Sequence, residues 1–109
     1  MRSKGNSRTA SQNRWYSAVA ELGSVITNDS QVVLHHPIGE QQKHNKLPVG
    51  VWWVVPLTPR EHQNLHDGFY QDRRKEFEKI WFKTVIIRLR DHPDCPPDEI
   101  IKAIAGYRR

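Results

Sequence analysis

A small, single α+β domain is what these 109 residues predict, on three observations. Two short runs rich in β-branched and aromatic residues, 31–35 (QVVLH) and 51–55 (VWWVV), read as strands. Thr58-Pro59-Arg60-Glu61 has the composition of a helix start, and a long segment of helical spacing follows it. There is no internal repeat, and the length supports one modest core.

Residues 1–11 (MRSKGNSRTAS) are polar and basic, so they are expected to form a disordered arm ahead of a domain at 12–109. The arm lacks the apolar core of a secretion signal, and nothing later approaches the ~20 apolar residues of a membrane span. A soluble, cytoplasmic protein is the expectation. From 12 to 22, Trp15, Val19 and Leu22 recur at helical spacing, with Ser11 as the cap and Gly23 as the stop. The first strand follows, then a polar loop, then the second strand. In that strand Trp52 and Trp53 should point to opposite faces, one into the core and one outward.

Thr58 suits the N-cap of the next helix. Pro59 suits the first helical position, where its missing N–H costs nothing, and Glu61 sits three residues past the cap to close a capping box. Gly68 ends that helix. A long helix is placed at 71–90, with Phe77, Ile80, Trp81, Thr84, Val85 and Arg88 near one face, although the β-branched run at 84–87 leaves its end open. Residues 91–97 (DHPDCPP) break the chain, and a last helix at 97–105 should dock through Ile100, Ile101 and Ile104.

Seventeen Lys and Arg against twelve Asp and Glu give a net charge of +5, which favours a polyanionic partner. Basic residues cluster at Arg2, Lys4 and Arg8, at Lys43 and Lys46, at Arg73, Arg74 and Lys75, and at Arg108 and Arg109. The middle two clusters, Lys43, Lys46, Arg73, Arg74 and Lys75, are the expected DNA contacts. Cys95 stands alone, which excludes an intramolecular disulfide and a cysteine-based metal site and agrees with a reducing compartment.

Five of the six histidines fall between 31 and 68. His35 and His36 close the first strand. His62 and His66, four residues apart, share one face of the predicted helix, so their imidazoles can converge on one ion. Taken singly, a His-His pair at a strand end or a His-x-x-x-His on a helix is ordinary. Their conjunction, in the order strand, loop, strand, helix, points to a metal in a cleft formed by His35, His36, His62 and His66. Glu61 and Asp67 lie beside these residues, either orienting an imidazole or simply solvated.

Leu34-His35-His36-Pro37-Ile38-Gly39, Gly50-Val51-Trp52-Trp53-Val54-Val55-Pro56-Leu57, His62 and His66 together resemble the HNH (ββα-metal, His-Me finger) endonucleases. The wording is closest to the phage recombination-enhancement, RecA-dependent branch. The resemblance implies a ββα-metal core at 31–68 flanked by helices, and a metal-dependent hydrolysis of DNA phosphodiesters linked to recombination. It implies that His35, His62 and His66 ligate one divalent ion (Mg²⁺, Mn²⁺ or Zn²⁺), that His36 is the general base, and that Asn45 braces the loop of the catalytic site, with His44 as its rival. DNA, a RecA filament and a bacterial host cytoplasm come with the same resemblance. Two departures stand out. Ser24-Val25-Ile26-Thr27 and Thr58 lie where many members carry cysteines, so no zinc knuckle is expected, and Val51 lies where relatives place a histidine. An inactive DNA-binding accessory protein with a structural metal is the alternative, and a small interaction protein with incidental histidines is a third reading.

Overall fold

The computed structural model describes residues 8–106, so Arg2, Lys4, Arg108 and Arg109 lie outside the described residues. Five helices and one two-stranded antiparallel sheet make a single α+β domain: α1 (Ala10–Glu21), β1 (Val33–His35), α2 (Val49–Trp52), β2 (Val55–Leu57), α3 (Pro59–His66), α4 (Arg74–Leu89) and α5 (Asp98–Ala105). A short 3-10 turn, Gln71–Arg73, leads into α4.

The first helix begins earlier than its composition suggests. Thr9, not Ser11, is the N-cap: its hydroxyl accepts from the Gln12 N–H at 3.0 Å while the Gln12 side chain accepts from the Thr9 N–H at 2.9 Å. That reciprocal pair orders the end of the expected arm, because two orphan donors are satisfied at once. Ser11 instead donates to Asp94 at 3.0 Å. The buried face is Trp15, Tyr16 and Val19.

Residues 33–35 pair with 55–57 in the register Val33↔Leu57, Leu34↔Pro56, His35↔Val55. Pro56 is tolerated because its carbonyl turns away from β1, accepting from the Val25 N–H at 3.0 Å, so its missing donor falls on the side that β1 does not use. The expected strand at 51–55 is corrected. Residues 49–52 form one helical turn, and extended pairing starts only at Val55. Gly50 explains the turn. Its N–H donates to the Gln42 carbonyl at 2.9 Å, and a Cβ there would lie 2.0 Å from the Gly39 carbonyl oxygen. Close contact with the preceding loop therefore overrides the β preference of Val51, Trp52 and Trp53. Both tryptophans are consequently buried rather than split between core and surface.

Helix α3 starts at Pro59 with the Thr58–Glu61 capping box intact, and Gly68 follows it at φ +86°. It packs on both strands. Helix α4 stays helical through its β-branched run, where the Thr84 hydroxyl donates to the Ile80 carbonyl at 3.1 Å. Its buried face is Glu78, Trp81, Phe82, Val85 and Ile86, rotated from the expected one so that Ile80 is exposed. Ile100, Ile101 and Ile104 of α5 are buried in the core as the pattern requires, and Gly106 closes that helix in the left-handed conformation.

Candidate metal centre

The register places His35 at the end of β1, and the capping box aims α3 so that its histidine face meets that end. Ring centroids of His35 and His62 are 5.0 Å apart, those of His35 and His66 5.8 Å, and those of His62 and His66 4.5 Å. One nitrogen from each of the three rings lies within 4.8 Å of the others, close enough to hold a metal ion. Burial is graded across the trio: His35 is buried, His62 half-buried and His66 exposed, so the group opens onto the surface.

The donor set fits such an ion. The Nε2 atoms of His62 and His66 are 3.1 Å apart. Two imidazole nitrogens on one tetrahedral ion stand about 3.3 Å apart, given a metal–nitrogen bond of about 2.0–2.1 Å. The same approach also suits a single N–H donated from one ring to the other. The third ring carries the distinction. His35 Nε2 lies 2.7 Å from a Glu78 carboxylate oxygen, and both side chains are only 3% exposed. A histidine whose one nitrogen is held by a buried carboxylate offers the other as a ligand atom, the arrangement that orients imidazoles at metal sites. Glu78 is anchored in turn by Arg74, 3.2 Å away. Three neutral imidazoles favour borderline ions such as Zn²⁺ in affinity. Burial first, then the neighbouring His35, His66 and Arg74, push the His62 pKa below its ordinary value. That shift favours the neutral ring, the form able to bind a cation.

Glu78 was not among the candidates from sequence. Its signal was a carboxylate four residues after Arg74 and flanked by Phe77 and Trp81, a charged residue within an apolar stripe. The carboxylates that sequence proximity favoured do other work. Asp67 accepts from the Gln63 side chain at 2.9 Å. Glu61 accepts from Ser24 Oγ at 2.7 Å, Thr27 Oγ1 at 3.1 Å and the Thr58 N–H at 2.8 Å. The positions without thiolates, Ser24, Thr27 and Thr58, thus converge on one carboxylate and clasp the loop after α1 to the start of α3.

His36 is not part of the trio. Its Nε2 lies 2.7 Å from the Tyr16 hydroxyl and 3.9 Å from Glu40. Burial is the main cause of its lowered pKa; Glu40 opposes the shift, and Arg8 and His35 add to it. Asn45 occupies the tip of a two-residue hairpin in which His44 and Leu47 exchange both backbone hydrogen bonds at 2.9 Å. Asn45 and Lys46 have φ of +53° and +70°, the mirror-image turn that asparagine tolerates. Among the described residues, the hydrogen bond of the Asn45 amide is to the His44 ring, at 3.4 Å. Val51 supplies a carbonyl that accepts from Tyr16 at 2.7 Å. His92 accepts from the Asp94 N–H at 3.0 Å.

Lys43 and Lys46 are exposed on that hairpin and Lys75 on α4. Arg73 is paired with Glu76 at 3.0 Å, and Arg74 with Glu78, so these two arginines are engaged within the fold. Among the described residues no helix is long and apolar enough to cross a membrane. No family model, curated protein or solved structure matched this chain.

Proposed function

We propose that this chain is a metal-dependent DNA endonuclease of the HNH type, with β1, β2 and α3 as its ββα-metal core. The observation that carries the reading is the convergence of His35, His62 and His66 from the end of a strand and one face of a helix, with a buried carboxylate hydrogen-bonded to the most buried ring. His35, His62 and His66 hold one Mg²⁺, Mn²⁺ or Zn²⁺. Once bound, the ion supplies positive charge to the scissile phosphate and the leaving oxygen. His36, next in the chain to a ligand and largely neutral near pH 7, takes a proton from the attacking water at a ring nitrogen. Lys43, Lys46 and Lys75 contact phosphates, with Arg73 and Arg74 contributing if they exchange carboxylate partners for the backbone of DNA. Linkage to recombination, a RecA filament and a bacterial cytoplasm rest on the sequence resemblance.

A second reading, a DNA-binding accessory protein with a structural metal and no hydrolysis, draws on one observation. The His36 Nε2 is occupied by Tyr16. Conversion of supercoiled plasmid to nicked or linear form separates the two. The assay compares the wild type with His36→Ala in Mg²⁺, Mn²⁺, Zn²⁺ or EDTA, with and without a RecA filament, and with metal content measured on the same preparations. Metal-dependent cutting that disappears in His36→Ala at unchanged metal content supports the nuclease. Bound metal and bound DNA without cutting in any arm sinks it in favour of the accessory protein.

A further inference from the structure

The Tyr16 hydroxyl makes two contacts of equal length: 2.7 Å to His36 Nε2 and 2.7 Å to the backbone carbonyl oxygen of Val51. A carbonyl can only accept, so the single hydroxyl proton goes to Val51. The remaining contact then has to be donated by the ring, which puts a hydrogen on Nε2. Were the hydroxyl to donate to Nε2 instead, two oxygens would face each other at 2.7 Å with no proton between them, and a buried carbonyl would lose its partner. In a neutral imidazole with Nε2–H, the lone pair is on Nδ1.

We propose that Tyr16 is a positioning residue that fixes His36 as the Nε2–H tautomer, making Nδ1 the atom that accepts a proton from water. The second half rests on the reading of His36 as the general base.

Two further observations bear on it. Tyr16 itself is held rigidly: it is 8% exposed, sits on a helix with a closed capping box, and is covered by the Arg8 guanidinium 4.4 Å from its ring centroid. Burial, and then the charge of Glu40, push its hydroxyl pKa up to about 12, so it keeps its proton for Val51 at any working pH. The device is legible only in three dimensions, since Tyr16, His36 and Val51 come from α1, the residue after β1, and α2.

The test is long-range ¹H–¹⁵N correlation of the imidazole resonances on the ¹⁵N-labelled full chain, near pH 8, where a free imidazole with a pKa of about 6.5 is neutral. It is run with diamagnetic Zn²⁺ and without metal, using His36→Gln to assign the signal. The expected result is a His36 ring protonated at Nε2 and bare at Nδ1. In Tyr16→Phe that preference should give way to a mixture of tautomers, and kcat for plasmid nicking should fall at least about tenfold with KM and zinc content unchanged. A wild-type His36 protonated at Nδ1 overturns the proposal, and this readout does not depend on the variant folding. An undiminished Nε2–H signal in a folded Tyr16→Phe overturns the part assigned to Tyr16. A wild type with the Nε2–H tautomer that cuts nothing upholds the tautomer lock and overturns the nuclease reading.

Discussion

Glu78→Gln tests whether the three imidazoles form a metal site or merely lie together. The carboxylate accepts from His35 Nε2 at 2.7 Å and from Arg74 Nε at 3.2 Å, through the same oxygen. An amide of the same shape retains one neutral acceptor, so the His35 ring stays roughly in place but loses the charge that strengthens its other nitrogen as a donor. Losses of this kind at metal sites run about 10–100-fold in affinity, which is about 1.4–2.8 kcal/mol. Glu78→Ala adds a folding cost, because the buried His35 N–H is left without a partner at about 1–3 kcal/mol. Arg74, whose side chain is 37% exposed, returns to water and adds little. At about 4–8 °C per kcal/mol, the metal-free protein should melt about 10 °C lower. Zinc affinity is read by competition with a chromophoric chelator, and melting by circular dichroism. If folded Glu78→Gln bound zinc as tightly as the wild type, while His62→Ala weakened it, Glu78 would have no part in holding a ligand. Equal affinity in all three proteins would remove the site altogether.

Three other outcomes follow from the packing. Ser24→Ala, which unhooks a fully buried hydroxyl from Glu61 and from the Ile26 and Thr27 N–H groups, should cost about 1–3 kcal/mol in urea unfolding without changing metal content. Gly50→Ala places a Cβ 2.0 Å from the Gly39 carbonyl oxygen, so it should cost about 3 kcal/mol or more, and a variant as stable as wild type would contradict the close approach of that turn to the 39–42 loop. Asp94 is held below its ordinary pKa of 3.8, first by its hydrogen bond from Arg14. A depressed folded pKa stabilises the fold above the unfolded value, and that contribution fades as pH falls from about 4 through the folded value. Asp94→Asn should therefore lower the melting temperature at neutral pH and flatten its fall in acid; an unchanged acid limb would argue against the pairing.

Where the chain signals its structure locally, the sequence was sufficient. Thr58, Pro59 and Glu61 act within four residues of one another, and the structure builds from them the helix start that their chemistry dictates. Asp98–Ala105 is likewise legible, from acidic residues in its first turn, isoleucines on one face and Gly106 at its end. His62 and His66 share a face because helical geometry requires it, and His35 joins them because a short strand pairs with the one that leads into that helix. Local pattern misplaced the rest because the deciding contacts are distant in sequence. The run at 51–55 has strand propensity, but its N-terminal half became a helical turn under close contact with residues 39–42. Thr9 was assigned to a disordered arm because its composition is polar, and a reciprocal bond with Gln12 ordered it.

The amino-acid sequence by itself determined the α+β class and the capped helix that carries His62 and His66 on one face, since each depends on neighbours within a turn or a strand. Only the tertiary structure decided which carboxylate meets His35, which hydroxyl meets His36, and that Ser24 and Thr27 close on Glu61. Those are contacts across 20 to 43 residues of chain, each joining a helix to a strand or loop from another part of it.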